Sequence, residues 1–136
     1  MPLRLEIITP EAKTFSDEVE QVVLPGIEGE FGVLPGHQPL VTQILPGELD
    51  VVQNGRQLCL AVGEGFVEVQ PDRVSVLTDM AVRADDINEA EAEAARKRAE
   101  EALSHKLSPD EEAVAQATLQ RSLAQLQVKR RRPRSG

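Results

Sequence analysis

Tyrosine and tryptophan are absent from this 136-residue chain, and Phe15, Phe31 and Phe66 are its only aromatic residues. Base stacking has almost no side chains to use, which argues against single-stranded nucleic-acid binding. Cysteine is equally scarce. Cys59 stands alone, which excludes an internal disulfide and gives no thiol pair for metal or redox work. His37 and His105 are the only histidines and lie on separate segments, so no catalytic triad and no metal-ligand spacing can be assembled. Neither a catalytic residue nor a metal site is expected. No long apolar run occurs, so neither a secretory signal nor direct membrane insertion is expected.

What is present is a charge asymmetry. The chain carries −8 overall, yet Lys129, Arg130, Arg131, Arg132 and Arg134 hold five of its 15 basic residues, and no acid lies beyond residue 128. A basic segment ends an acidic body. It reads as a solvated, disordered tail or as an electrostatic contact for an acidic partner. A nucleic-acid role for the Arg-rich end would show salt-sensitive DNA retention, and the acidic body opposes it.

Alternation of apolar and polar residues marks half-buried strands at Leu3, Leu5 and Ile7 and again from Val19 to Leu24. Asn54-Gly55 between Glu48–Gln53 and Arg56–Val62 predicts a hairpin with a type I′ turn. Leu58, Leu60 and Val62 then share one face, while Cys59, with Ala61 on the other, reads as a small packed hydrophobe. Pro71-Asp72 closes a second hairpin in which Val67 and Val69 face inward with Val74 and Val76. Short strands separated by turn signals indicate a β-sandwich or flattened barrel.

The hydrophobic period changes after Arg83. Asp85 or Asp86 is placed to cap a helix, with Glu89 completing a box-like arrangement, and alanines at 90, 94, 95, 99 and 102 form a small-residue seam. Ser108, Pro109 and Glu111 announce a second helix carrying Ala115, Leu119, Leu123 and Leu126. The short connection makes an antiparallel helical hairpin. His105, near the end of the first helix, complements its dipole. The fold class is α+β: an antiparallel β-sandwich over 1–84, a helical hairpin over 85–128 and a basic tail over 129–136. An alanine seam buries little apolar area at about 25 cal/mol per Å², so hairpin docking is expected to be marginal.

Residues 26–40 hold four glycines and two prolines within otherwise strand-like sequence. The composition predicts a folded loop and contact surface. Glu28 and Glu30 among the glycines, with no Lys-Ser or Lys-Thr following, exclude a phosphate-cradling loop.

This loop, reading Glu28-Gly-Glu-Phe-Gly-Val-Leu-Pro-Gly-His-Gln-Pro-Leu40, together with Gly65-Phe-Val-Glu-Val69, Val74-Ser-Val-Leu-Thr-Asp79 and the alanine-rich hairpin, resembles the epsilon subunit of the bacterial and chloroplast F-type ATP synthase. The resemblance spans residues 3 to about 128. It implies a non-catalytic central-stalk subunit that couples the gamma subunit to the c-ring in proton-driven ATP synthesis, peripheral on the cytoplasmic face of the bacterial plasma membrane. Glu30 and Phe31 would face the ring's polar loops, and His37 and Thr42 would lie towards gamma. The hairpin would inhibit ATP hydrolysis by opening into the alpha/beta catalytic head, with Arg121, Lys129, Arg130, Arg131 and Arg132 approaching acidic segments there. Helices of about 20 residues reach about 30 Å folded and about 60 Å end to end.

Some relatives bind ATP through Ile-Asp-x-x-Arg-Ala on the first helix. Here Ile87, Asn88, Glu91 and Ala92 occupy that motif, so a carboxylate stands where phosphate needs a cation, although Arg98 remains nearby. No cofactor is expected. A reading from another class is a free-standing adaptor or chaperone module whose hairpin grips a client helix. Co-purification with a large membrane ATPase separates the two.

Overall fold

The computed structural model describes residues 2–131. Strands β1 (Leu3–Ile8), β2 (Lys13–Val19), β3 (Gln21–Gly26), β4 (Gly29–Val33), β5 (Leu40–Ile44), β6 (Gly47–Gln53), β7 (Arg56–Val62), β8 (Gly65–Gln70), β9 (Arg73–Thr78) and β10 (Ala81–Arg83) come first. A 3₁₀ turn at Ala84–Asp86 then leads to helices α1 (Glu89–Leu103) and α2 (Pro109–Arg130).

Hydrogen bonding follows one path, β10-β7-β6-β3-β5-β8-β9-β1-β2, with β4 paired to β3 beside it. β1 pairs parallel with β9 and antiparallel with β2. The path folds over on itself, because inward residues from both halves meet in one core. Leu3, Leu5 and Ile7 of β1 and Val67, Val69, Val74 and Val76 of β8 and β9 join Val22 and Leu24 of β3, Leu49 and Val51 of β6, and Leu60 and Val62 of β7. Period-two alternation sends every second residue inward. Both expected hairpins form: Gln53 pairs with Arg56 across Asn54 and Gly55, which have φ of 53° and 75° as a type I′ turn requires, and Gln70 pairs with Arg73.

Three local readings change. The alternation from Val19 to Leu24 is interrupted at Glu20, where β2 ends and β3 begins, so Val19 belongs to one strand and Val22 and Leu24 to the next. The glycine-rich segment is not all loop: β3 and β4 form a hairpin in which Gly26 pairs with Gly29 and Leu24 with Phe31. Gly26 is required there, because a Cβ would lie 2.8 Å from both the Gly29 carbonyl oxygen and the Phe31 ring. Asp85 and Asp86 lie in the 3₁₀ turn, and Asn88 caps α1 instead, its side chain accepting from the Glu91 N–H at 3.0 Å.

The start of α2 follows its sequence signal. Ser108 Oγ accepts from the Glu111 N–H at 3.2 Å, and Glu111 Oε1 accepts from the Ser108 N–H at 3.1 Å. The Ser108 backbone N–H first, and the Ser108 hydroxyl second, hold the Glu111 carboxyl below its usual range. The helix does not stop at residue 128. It runs through Lys129 to Arg130, with Arg131 as its C-cap, because side-chain contacts hold these cations against the body. Of the basic tail, Arg132 and the residues after it lie outside the described structure.

Arg130 of α2 donates to Glu89 at 2.6 Å and Glu93 at 2.8 Å on the first turns of α1, so the helices run antiparallel. The inner seam of α1 is Ala92, Ala95, Ala99 and Ala102 rather than the full alanine set, since Ala90 and Ala94 are exposed. The second half of α2 is covered on two sides. Ala124 and Val128 pack with Ala61 and Ile87, while Ser122 lines the groove against α1. Two-sided burial blurs a single helical stripe, and Leu123 ends up 41% exposed.

Candidate functional site

Helix α2 covers the outer face of β6 and β7, and α1 packs on α2. Alternation places Leu49, Val51, Leu60 and Val62 in the core, which turns Glu48, Asp50, Cys59 and Ala61 towards α2. Glu48 and Asp50 are only 8% and 6% exposed. Arg131 pairs with Glu48 and lies 3.5 Å from Asp50. The Cys59 thiol donates to Asp50 Oδ1 at 2.9 Å, so this side chain sits in a polar cluster as well as against the helix.

Among the described residues, each basic side chain assigned to the opened hairpin is engaged in the docked one. Arg121 donates to Asp79 at 3.3 Å, Lys129 donates to the Ala84 carbonyl at 3.1 Å, and Arg130 and Arg131 hold the pairs given above. Apolar contact between the helices and sandwich is meanwhile a single limited cluster, Ala124 and Val128 with Ala61 and Ile87, edged by Cys59, Met80, Val82 and Ala84. Docking is thus divided between a thin apolar seam and a line of charge contacts.

Glu93 lies at the centre of one such network, between Arg96 of its own helix and Arg130 of α2. Hydrogen bonds from these two guanidinium groups, Arg96 first, lower its carboxyl pKa to about 2. A groove of about 480 Å³ beside it is lined by Glu91, Ala92, Arg98, Arg121, Ser122 and Gln125. Of the residues named for nucleotide binding, only Glu91, Ala92 and Arg98 line it. Ala92 and Arg98 are brought together with Glu91, Asn88 is occupied as the cap of α1, and Ile87 is buried against the sandwich. Glu91 and Arg98 face one groove, so its cationic side chains share the space with a carboxylate.

The loop residues divide. Glu30 is exposed on β4, whereas Phe31 is half-buried, packed on the core across Gly26. The turn after β4 is tied down by the Gly36 N–H donating to the Pro71 carbonyl at 2.7 Å. His37 Nδ1 lies 2.7 Å from the Gln38 carbonyl oxygen, so that ring nitrogen carries the proton and donates. Thr42 pairs with the fully buried Val67 and so points to the inner side of its strand. His105 lies beyond the end of α1, its backbone N–H bonded to Ala102.

The open side of the sheet carries residues that the sequence reading passed over. Val41, Phe66 and Leu77 are 70%, 60% and 53% exposed. Phe66 sits opposite Leu77 on one side and Gln43 on the other, two positions from Val41 along β5. They form an apolar patch on the outer face of β5, β8 and β9, where an alternating strand places polar residues. The available signal was Phe66 occupying the outward position beside inward Val67.

No helix of the described residues is long and apolar enough to cross a membrane. Residues 2–84 match the family model for the ATP synthase delta/epsilon chain beta-sandwich domain, and 85–130 match that for its long alpha-helix domain. The ATP synthase epsilon chain of Herpetosiphon aurantiacus is 46% identical over 128 residues, covering 94% of each chain. That of Dehalococcoides mccartyi is 45% identical over 131 residues, covering 96% of this chain and 94% of the relative. Among solved structures, a chain of the Euglena gracilis mitochondrial ATP synthase OSCP/F1/c-ring assembly aligns with TM-score 0.72 at 24% identity, covering 88% of this chain and 76% of its own. A chain of the Tetrahymena thermophila central stalk and c-ring aligns with TM-score 0.65 at 10% identity, covering 95% and 97%. At those identities the structural likeness speaks to the fold.

Proposed function

The chain belongs to the ATP synthase delta/epsilon family, and from that membership we propose that it is a non-catalytic central-stalk subunit coupling gamma to the c-ring, with a hairpin that brakes ATP hydrolysis. The supporting observation is the division of labour between its two parts. The sandwich has a continuous core and an uncovered apolar patch at Val41, Phe66 and Leu77, which suits a fixed contact with another subunit. The turn carrying Pro35, Gly36 and His37 is anchored to the β8–β9 turn, so it loses little entropy on docking. Glu30, His37 and the outer patch are offered to the ring and gamma. Phe31 and Thr42 contribute from behind by holding β4 and β5 in place.

The hairpin has the opposite character. Its contacts with the sandwich are one limited apolar cluster and a set of charge pairs, and the arginines of those pairs can exchange one acidic partner for another. Arg121, Lys129, Arg130 and Arg131 serve the docked state here and would serve the alpha/beta head when released, with Arg132 following them. Two states of this kind need differ by only a few kcal/mol for a partner to shift the balance. As a stalk subunit beside a bacterial c-ring, the chain would work at the cytoplasmic face of the plasma membrane without inserting into it.

The deciding experiment compares ATP hydrolysis by the assembled complex with and without residues 86–136. Faster hydrolysis after truncation supports the brake. Unchanged hydrolysis removes that role and leaves the stalk assignment standing.

A further inference from the structure

We propose that Glu48, Asp50 and Cys59 form a divalent-cation site of the zinc type, which Arg131 occupies when the hairpin is docked. Ligand atoms of these three residues all lie within 4.8 Å of one another. A thiol sulfur with two carboxylate oxygens, leaving one position for water, is a donor set that suits zinc and cobalt(II) and disfavours magnesium.

An independent observation points to a ligand. Glu48 Oε1 is buried and has no hydrogen-bond partner among the described residues. Its side chain is 6% exposed, and its other oxygen faces Arg131. A buried carboxylate oxygen with nothing to accept from carries a desolvation cost that a metal bond removes. Charge leads to the same place. One guanidinium faces two carboxylates, so cationic neutralisation is incomplete while Arg131 is seated.

Access exists on the Arg131 side. A cleft of about 450 Å³ is lined there by Pro25, Glu30, Gly47, Glu48, Gln127 and Arg131. Arg131 is 27% exposed at this rim, so its departure opens the cluster to solvent. Metal entry would displace the Cys59 thiol proton, now donated to Asp50, and release it to water. Cation and guanidinium then compete for the same oxygens. Zinc binding disfavours hairpin docking, and docking disfavours zinc, by the same factor.

The test uses the full chain and cobalt(II) as a spectroscopic probe. Arg131→Ala should bind cobalt with thiolate-to-metal charge-transfer absorption, about tenfold or more tightly than the unaltered chain, whose site is mostly occupied by Arg131. Adding Cys59→Ser to that variant should abolish the band, and adding Glu48→Gln should weaken binding. No band in Arg131→Ala, a band surviving Cys59→Ser, or equal affinity with and without Arg131 overturns the site. A second measurement avoids substitutions. Saturating zinc should accelerate amide hydrogen exchange in α2 of the unaltered chain, and zinc uptake with unchanged exchange overturns the competition. Both readouts use the isolated chain, so they are independent of whether it joins the stalk.

Discussion

Arg131, one residue past the last helix, pairs with Glu48 on β6, a carboxylate that is only 8% exposed. The contact joins the end of the hairpin to the start of β6. It is also the most buried of the ion pairs between the two parts among the described residues. Its removal leaves Glu48 and Asp50 without the cation that faces both.

Arg131→Ala is therefore expected to weaken hairpin docking by about 1.5–3 kcal/mol, the range for a hydrogen bond to a charged group. Hydrogen exchange of α2 should accelerate while the β1, β8 and β9 amides keep their protection. Uniform acceleration in both parts would instead mean that the two unfold as one unit.

Arg121 and Asp79 provide the contrast. The pair is 3.3 Å apart with both side chains more than a third exposed, so a double-mutant cycle should give a few tenths of a kcal/mol, about 0.2–1 at most. That coupling should fade between low and physiological salt. A coupling as large as the Arg131 effect would show that the burial of Glu48 is not what distinguishes them.

Acid should loosen the helical hairpin through Glu93. Its folded carboxyl pKa is lowered from 4.5 to about 2 by Arg96 and Arg130. A depressed carboxyl contributes stability that is fully present above about pH 4.5 and disappears as pH falls through about 2. Titration of the Glu93 side-chain carbon by NMR should give a midpoint well below that of an unpaired glutamate, and Arg130→Gln should raise it.

Phe66 is exposed in the isolated chain, so Phe66→Ser should change its stability by no more than about 0.5 kcal/mol. Affinity for the gamma subunit should nevertheless fall at least severalfold, measured by binding to purified gamma. Equal affinity would exclude the outer face of β5, β8 and β9 as the contact.

Nucleotide should bind weakly or not at all. Calorimetry of the isolated chain with ATP and magnesium is expected to give no micromolar site, because Glu91 shares the groove with Arg98 and Arg121. Glu91→Arg combined with Asn88→Asp should improve affinity, and an aspartate at that position can still cap α1. Micromolar binding by the unaltered chain would show that the carboxylate turns away from the ligand.

Much of the fold was legible because it is encoded locally. Asn54-Gly55 selects a turn, Ser108-Pro-Asp-Glu111 starts a helix, and Leu3, Leu5 and Ile7 choose an inner face, each within a few residues of sequence. The glycine-rich segment was legible as special but not as a hairpin, since Gly26 opposite Gly29 makes sense only with the Phe31 ring lying across it. The helix cap moved from Asp86 to Asn88 because both residue types can cap, and packing of Ile87 against the sandwich decides where the helix can begin.

The sequence by itself determined which residues alternate into the core, where the chain reverses and that two small-residue helices follow, because turn geometry and side-chain periodicity are properties of neighbours. Tertiary structure alone decided that β1 joins β9 and that α2 settles on β6 and β7. Cys59 reads from sequence as a small packed residue opposite the face of Leu58 and Leu60, and only the pairing of β6 with β7 sets Asp50 across from it and Glu48 on the same face. A helix some 70 residues further on covers them, leaving Glu48 and Asp50 buried and Cys59 partly so, and charge that would be cheap in water becomes a means of holding that helix.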